Sequence, residues 1–267
     1  MLNQDKHLLL KLSNTVIQAG IKIMEFYKTD FKVEKKKDNS PITKADLAAN
    51  SIITEELKKI DENIPILSEE SVVTWNKRKK WEKYWLVDPL DGTKEFINKN
   101  GEFTVNIAMI ENNNSVIGII YAPAKSWLYF AKKNLGAFKI STTSLLNNLD
   151  DAILIKTSNL GIKDNIRVIG SRSHSNFYFN TWVKKNFHKY ELISRGSSLK
   201  FCEIAEGQAE IYPRFGPTSE WDIAAGHIIL EEAGGKVNDI NGKKIFYNAK
   251  ENLINSDFIA SNGMNLI

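Results

Sequence analysis

A single cysteine, Cys202, stands in a chain of 267 residues, which excludes an intramolecular disulfide and fits a reducing compartment. Its surroundings, Lys200-Phe-Cys-Glu-Ile-Ala205, follow a helical apolar pattern, so Cys202 reads as a packed thiol rather than a nucleophile. No run reaches the roughly twenty apolar residues that a membrane span requires. Asp5, Lys6, His7 and Lys11 interrupt the leucines near the start, so no signal peptide is expected, and no lipidation signal or strongly basic amphipathic segment is visible. Charge of one sign is also scarce. The formal net charge is +4, and the only dense basic runs are Lys35-Lys36-Lys37 and Lys77-Arg78-Lys79-Lys80. Neither run carries interleaved aromatics, so both read as solvated loops rather than nucleic-acid sites. A weak positive field remains, which suits small anionic partners. There is no internal repeat or low-complexity tract. A cytoplasmic globular protein is expected, and its oligomeric state is not readable from the sequence.

With 42% hydrophobic and 25% charged residues, the chain has enough apolar material for one large core or two smaller ones. Residues 5–28 place Leu9, Leu12, Val16, Ile17, Ile23 and Met24 near helical spacing, and residues 43–60 do the same with Leu47, Ile52, Ile53, Leu57 and Ile60. The polar stretch from Lys35 to Pro41 separates these two predicted helices, with Ser40-Pro41 read as a helix entry. Ile64 to Leu67 and Tyr84 to Val87 read as strands. From Phe103 the alternation of Phe103, Val105, Ile107 and Met109, the turn at Asn112 to Asn114 and the return over Val116 to Tyr121 describe a hairpin, continued at Trp127 to Phe130 and Ala137 to Ile140. Polar residues at 141–151 mark the expected boundary between two domains, residues 1–145 and 146–267. Beyond it, strands at 153–155, 168–170, 191–194, 209–212 and 236–239 alternate with helices near 175–187, 198–206 and 222–233. The fold class is therefore α/β, an α+β N-terminal half beside an α/β C-terminal half.

The segment Trp85-Leu-Val-Asp-Pro-Leu-Asp-Gly-Thr-Lys-Glu-Phe96 runs an apolar strand into two carboxylates, Asp88 and Asp91. Like charges at the end of such a strand are costly without a counter-ion. Pro89 has no N–H and Gly92 tolerates positive φ, so the chain can bend and aim both acids and a main-chain carbonyl at one point. Hard divalent cations take oxygen ligands of this kind, and Mg²⁺ in particular prefers a few carboxylates together with phosphate oxygens. Three further acids fall at element ends, each with an ordinary reading beside the functional one. Asp46 in Thr43-Lys-Ala-Asp46 fits a capping box. Glu69, with Glu70, fits a solvated turn. Asp222 opens the small-residue helix Trp221-Asp-Ile-Ala-Ala-Gly226 and would favour the positive end of its dipole.

Taken together, Asp38-Asn-Ser-Pro-Ile-Thr-Lys-Ala-Asp46, Pro65-Ile-Leu-Ser-Glu-Glu-Ser71, Trp85 to Phe96, Gly101-Glu-Phe-Thr-Val-Asn106, Gly196-Ser-Ser-Leu-Lys200, Trp221-Asp222 and Glu232-Ala-Gly-Gly235 span most of the chain in order. In this the sequence resembles the Mg²⁺-dependent, lithium-sensitive phosphatases that include inositol monophosphatase and the 3'(2'),5'-bisphosphate nucleotidases. The resemblance implies a layered αβαβα sandwich and two Mg²⁺ ions, with a third, weakly held, allowed near Asp46 and Glu69. It implies metal ligands at Glu69, Asp88, the Leu90 carbonyl, Asp91 and Asp222, and a water activated by Thr93 with Asp46, a role Glu69 would share. Within the family it points to the bacterial nucleotidases that remove the 3'-phosphate of adenosine 3',5'-bisphosphate (PAP). Inositol monophosphatases place an acid shortly before the Trp-Asp pair, whereas Arg214 and Phe215 occupy that neighbourhood here. Arg214, Lys200, Ser197 and His174 match positions that hold the nucleotide and its 5'-phosphate in relatives. Gly92 and Thr93 would offer main-chain N–H groups to the cleaved phosphate, which also lies against Glu69, Leu90, Asp91 and Asp222. The resemblance leaves peripheral membrane attachment open. Two alternatives stay open beside this reading: an inositol or sugar monophosphatase with the same metal site, and a non-catalytic member of the fold that binds RNA or a partner protein.

Overall fold

The computed structural model describes residues 3–28, 34–35, 41–42, 44–172 and 177–265, and the elements counted are those among them. Helix α1 (Asn3–Tyr27) is followed by a short antiparallel pair, β1 (Glu34–Lys35) and β2 (Pro41–Ile42), and by α2 (Lys44–Ile60). Pro41 thus sits in a strand and the helix begins three residues later. Thr43, Ser40 and His174 lie outside the described residues.

A seven-stranded sheet comes next, built from β3 (Ile66–Ser68), β4 (Lys83–Asp91), β5 (Thr104–Glu111), β6 (Asn114–Ala122), β7 (Trp127–Lys132), β8 (Gly136–Ser141) and β9 (Ile153–Ile155) in that spatial order. Only β3 and β4 pair in parallel; the rest are antiparallel neighbours, joined by short turns from β5 to β8 and by longer links, residues 92–103 and 142–152, at either side. Two short helices, α3 (Trp75–Arg78) and α4 (Thr93–Ile97), flank β4. Ile153–Ile155, beyond the polar stretch near 145, pairs with β8 at the edge of this first sheet.

The second sheet uses β10 (Ile166–Ser171), β11 (Tyr190–Arg195), β12 (Ile211–Arg214), β13 (Lys236–Asp239) and β14 (Phe258–Ser261) in the order β11-β10-β12-β14-β13, with α5 (Phe177–Asn186), α6 (Leu199–Ala205) and α7 (Glu220–Glu232) among them. β10 runs parallel to β11 and β12, while β14 is antiparallel to β12 and β13.

Three apolar clusters set the layers. Leu9, Val16, Ala49 and Ile53 from α1 and α2 pack on one face of the first sheet, through Trp85, Val105 and Ile119. Leu86, Tyr129 and Ile120 on its other face meet Phe201 and Cys202 of α6, Ile223 and Ile229 of α7, and Ile169 and Phe258 of the second sheet. Phe179 and Val183 of α5 cover Val168 and Ile211 on the outer face. The result is the layered αβαβα sandwich expected, and Cys202 is a fully buried packing residue. Among the described residues no helix is long and apolar enough to cross a membrane.

Candidate active site

Strand β4 carries the two central acids. It runs past the Tyr84 to Val87 stretch read as a strand and continues to Asp91 through a bulge: Asp88 faces Asn106 and Asp91 faces Thr104, so Pro89 and Leu90 together oppose Val105 alone. Proline suits a bulge, since it has no N–H to lose, and the Leu90 N–H is satisfied by Asp88 Oδ1 at 3.1 Å. Gly92 then turns at φ +88°, where an added Cβ would lie 3.1 Å from the Glu102 carbonyl oxygen. The Thr93 hydroxyl donates to the Leu90 carbonyl at 3.3 Å.

Glu69 is set beside Asp88 by the parallel pairing of Ser68 with Val87 and by its own N–H, which donates to the Val87 carbonyl at 3.1 Å. Asp222 arrives from the second half, in the first turn of α7, where its Oδ2 accepts the Ser219 N–H at 2.8 Å. Asp222 thus sits at the positive end of the α7 dipole, as read from the sequence, and also caps the helix through Ser219, and the residue nonetheless meets the other acids. One oxygen from each of Glu69, Asp88 and Asp222 lies within 4.8 Å of the other two. Asp91 is held differently: its Oδ2 accepts from the Ser198 N–H at 2.6 Å and the Ser198 hydroxyl at 2.8 Å. That hydroxyl is also 2.8 Å from the Asp222 carbonyl and accepts from Asn106 Nδ2 at 2.9 Å.

Burial pushes the Asp88 carboxyl well above the usual carboxylate range, and Glu69, Asp91, Asp222 and Asp46 push it further. Asp222 moves the same way, through burial and then Asp91. Asp88 Oδ2 is fully enclosed and has no hydrogen-bond partner in the protein. An orphaned, buried carboxylate oxygen surrounded by like charges fits a hard divalent cation, because such an ion removes both penalties at once. Asp46, in the first turn of α2, is 2% exposed and close enough to act on Asp88 electrostatically.

The same cavity, about 270 Å³, has a cationic side. Lys200 and Arg214 are both buried, and Lys200 Nζ donates to the Ser197 carbonyl at 2.5 Å while lying 5.3 Å from the Tyr212 ring centroid. Burial lowers the Lys200 pKa, against the pull of Asp91. Arg214 Nη2 donates to the Pro217 carbonyl at 2.9 Å, but its buried Nε–H has no protein acceptor. Two buried cations, one with an unmatched donor, suit an anion. Ser197, at φ +54°, places its hydroxyl 2.5 Å from that of Thr104.

Of the residues expected from the sequence, Glu69, Asp91, Gly92, Thr93, Ser197, Lys200, Arg214 and Asp222 line the cavity. Asp46, Asp88 and Leu90 are almost fully buried and do not line it. Several supporting residues had no role assigned. Ser198 and Asn106 hold Asp91, and Glu102 takes both Arg172 nitrogens, at 3.0 and 2.8 Å, and the Gly196 N–H at 2.8 Å. They all fall in the stretches Gly101 to Asn106 and Gly196 to Lys200, which were visible as motifs but within which only Ser197 and Lys200 had been given a role.

The profile of the inositol monophosphatase family matches residues 5–265. The 3'(2'),5'-bisphosphate nucleotidase CysQ of Salmonella typhimurium is 42% identical over 250 residues, covering 90% of this chain and 94% of that protein. Its Escherichia coli counterpart of the same name is 40% identical over 253 residues, covering 91% and 95%. Among solved structures, the crystal structure of CysQ from Bacteroides thetaiotaomicron, described as a bacterial member of the inositol monophosphatase family, superposes with a TM-score of 0.85 at 39% identity, over 96% of this chain and 97% of that one. An inositol monophosphatase of Thermotoga maritima, at 24% identity and a TM-score of 0.76, shares the fold. A site whose acids come from both halves of a sandwich, in a chain matched from end to end, settles the kinship: the chain belongs to the inositol monophosphatase family.

Proposed function

We propose that this protein hydrolyses the 3'-phosphate of adenosine 3',5'-bisphosphate to AMP and phosphate, with Mg²⁺ and without a phosphoenzyme. The observation that carries the reading is that one cavity is lined both by carboxylates of the acidic cluster and by two buried cations, Lys200 and Arg214. A monophosphate needs only the first; a second, uncleaved phosphate needs the second. The name borne by the relatives at 40–42% identity supports the same substrate.

In this proposal Glu69, Asp88 and the Leu90 carbonyl would hold one Mg²⁺, and Asp88, Asp91 and Asp222 another, with room near Asp46 and Glu69 for a third. When bound, the ions would supply an acidified water and neutralise charge on the phosphate and the departing ribose oxygen. Thr93 Oγ1 would hold that water, with Asp46 and Glu69 as the nearby carboxylates able to take its proton. Gly92 and Thr93 would present main-chain N–H groups to the cleaved phosphate. Lys200 Nζ and the unmatched Nε–H of Arg214 would grip the 5'-phosphate with Ser197, and the family resemblance adds His174 to this set.

The test compares phosphate release from PAP, 3'-AMP and inositol 1-phosphate at equal Mg²⁺. PAP should be strongly preferred. Replacing Arg214 with alanine should cut kcat/KM for PAP by about 10–100-fold, the worth of hydrogen bonds to a charged group, and affect 3'-AMP much less. Faster turnover of inositol 1-phosphate would overturn the substrate assignment. Equal losses on both nucleotides would remove Arg214 from the 5'-phosphate.

A further inference from the structure

The basic run Lys77 to Lys80 reads as a solvated loop, and three of its members are exposed, but Arg78 is 2% exposed. The contacts of its guanidinium fall on two loops. Nε donates to the Val73 carbonyl at 3.2 Å. Nη1 donates to Asn248 Oδ1 at 2.5 Å and to the Lys250 carbonyl at 3.3 Å, and Nη2 donates to the Glu251 carbonyl. Asn248 returns a bond from Nδ2 to the Arg78 carbonyl at 2.7 Å. The guanidinium also stacks 4.9 Å from the Trp75 ring centroid.

One loop follows Glu69 directly, and the other bonds to Glu220, two residues before Asp222. Val73 is four residues beyond Glu69, in a segment pinned at its start by the Ser71 N–H to the Ser68 carbonyl. On the other side the Asn248 N–H donates to Glu220 Oε2 at 2.8 Å, the Glu220 N–H donates to the Leu253 carbonyl at 2.9 Å, and Glu220 opens the helical turn that contains Asp222. Asn248 holds this corner in the left-handed region, at φ +50°. A continuous hydrogen-bonded path therefore runs from the Glu69 loop through Arg78 and Asn248 to the start of α7.

We propose that Arg78 is a positioning residue for the metal site: it ties the loop that follows Glu69 to the loop that cradles the first turn of α7, and so fixes the spacing of Glu69 and Asp222. The inference rests on the reading of those two acids as metal ligands. Carboxylates this close repel one another until a cation arrives, so their spacing has to be imposed by the scaffold. A planar fork with fixed donors can impose it, and a lysine cannot reproduce four such bonds. Arg78 is not among the residues that line the cavity.

The experiment follows the thermal unfolding midpoint of the full chain, stripped with chelator, as MgCl₂ is added, and reads the half-saturating Mg²⁺ concentration. Arg78→Met should raise that concentration about tenfold, the lower end of what supporting residues around a metal contribute. Arg78→Lys, which keeps a charge and folds if the methionine variant does not, should raise it in the same direction. Arg167→Met is the control. It removes another multiply bonded arginine, paired with buried Glu210 at 2.6 Å away from the cavity, and should lower stability while leaving the Mg²⁺ half-saturation unchanged. Arg78 variants that keep the wild-type half-saturation overturn the proposal, as does an equal shift in Arg167→Met. Asp222→Asn separates the two layers of the argument: if Mg²⁺ still stabilises that variant as it does the wild type, the metal reading itself fails, whatever Arg78 does.

Discussion

Replacing Glu102 with alanine removes three bonds at once, and the structure says which of them matters. The carboxylate is 6% exposed and accepts the Gly196 N–H, a buried donor, at 2.8 Å. It also takes both nitrogens of the Arg172 fork, but the Arg172 side chain is 44% exposed and would turn to water once freed. The stranded Gly196 N–H should therefore dominate, at about 1–3 kcal/mol, with the ion pair adding roughly 0.5–1 kcal/mol. Glutamine keeps an acceptor for Gly196 and loses only the charge, so Glu102→Gln should cost about 1 kcal/mol. For a chain of this size these figures correspond to midpoints lower by roughly 3–16 °C for alanine and 2–4 °C for glutamine. The pH dependence supplies a second check. Burial pushes the Glu102 carboxyl up, but Arg172 and the Gly196 N–H outweigh it and hold the group below its ordinary value of 4.5. The charge's contribution is thus present above that value and lost as the pH falls through the lower, folded pKa. Urea titrations of wild type and Glu102→Gln should show a constant gap near neutrality that closes in acid. An alanine variant no less stable than the glutamine one, or a gap that persists in acid, would refute the account.

Two further outcomes follow from packing and charge elsewhere. Glu210 is fully buried, accepts from Ser158 and three times from Arg167, and is held below 4.5 because these partners outweigh its burial. Glu210→Gln should lower stability at neutral pH and flatten the loss of stability below about pH 4.5, measured by urea unfolding across the acid range. Gly118 lets β6 approach α7 so closely that an added Cβ would meet the Ala225 carbonyl oxygen at 2.3 Å and Ile228 Cγ2 at 2.5 Å. Gly118→Ala should cost about 1–3 kcal/mol in the same assay, and an unchanged midpoint would mean that α7 can shift without loss.

The long elements were legible because their periodicity is long. Leu9 to Met24 and Leu47 to Ile60 repeat over enough turns to declare helices, and the meander from Phe103 onward alternates over four strands. The short ones carry too few residues for any period to show: α3 and α4 span four and five residues, and β14 is four residues long. The strand read over Tyr84 to Val87 runs on through Pro89 for a physical reason. A missing N–H argues against a central strand, yet a bulge leaves one residue without a ladder partner and makes that loss harmless. The acids that meet around Asp88 were visible one by one, since each stands at the end of an element. What Ser198 does for Asp91, or Glu102 for Gly196, depends on distances between segments 107 and 94 residues apart, and no local pattern encodes them.

Arg78 shows why composition alone cannot settle such a case. In a run of four cations, three are solvated and one is enclosed, and the difference is made by acceptors supplied from residues 248 to 251, some 170 positions later. The same logic governs Asp222. One of its oxygens caps α7 through Ser219, which any helix start could use, and only the arrival of β3 and β4 from the other half turns the residue into part of an acidic cluster. A single carboxylate thus anchors the helix and completes the cluster. Disturbing the helix start should therefore alter cation affinity even where the carboxylate itself is untouched.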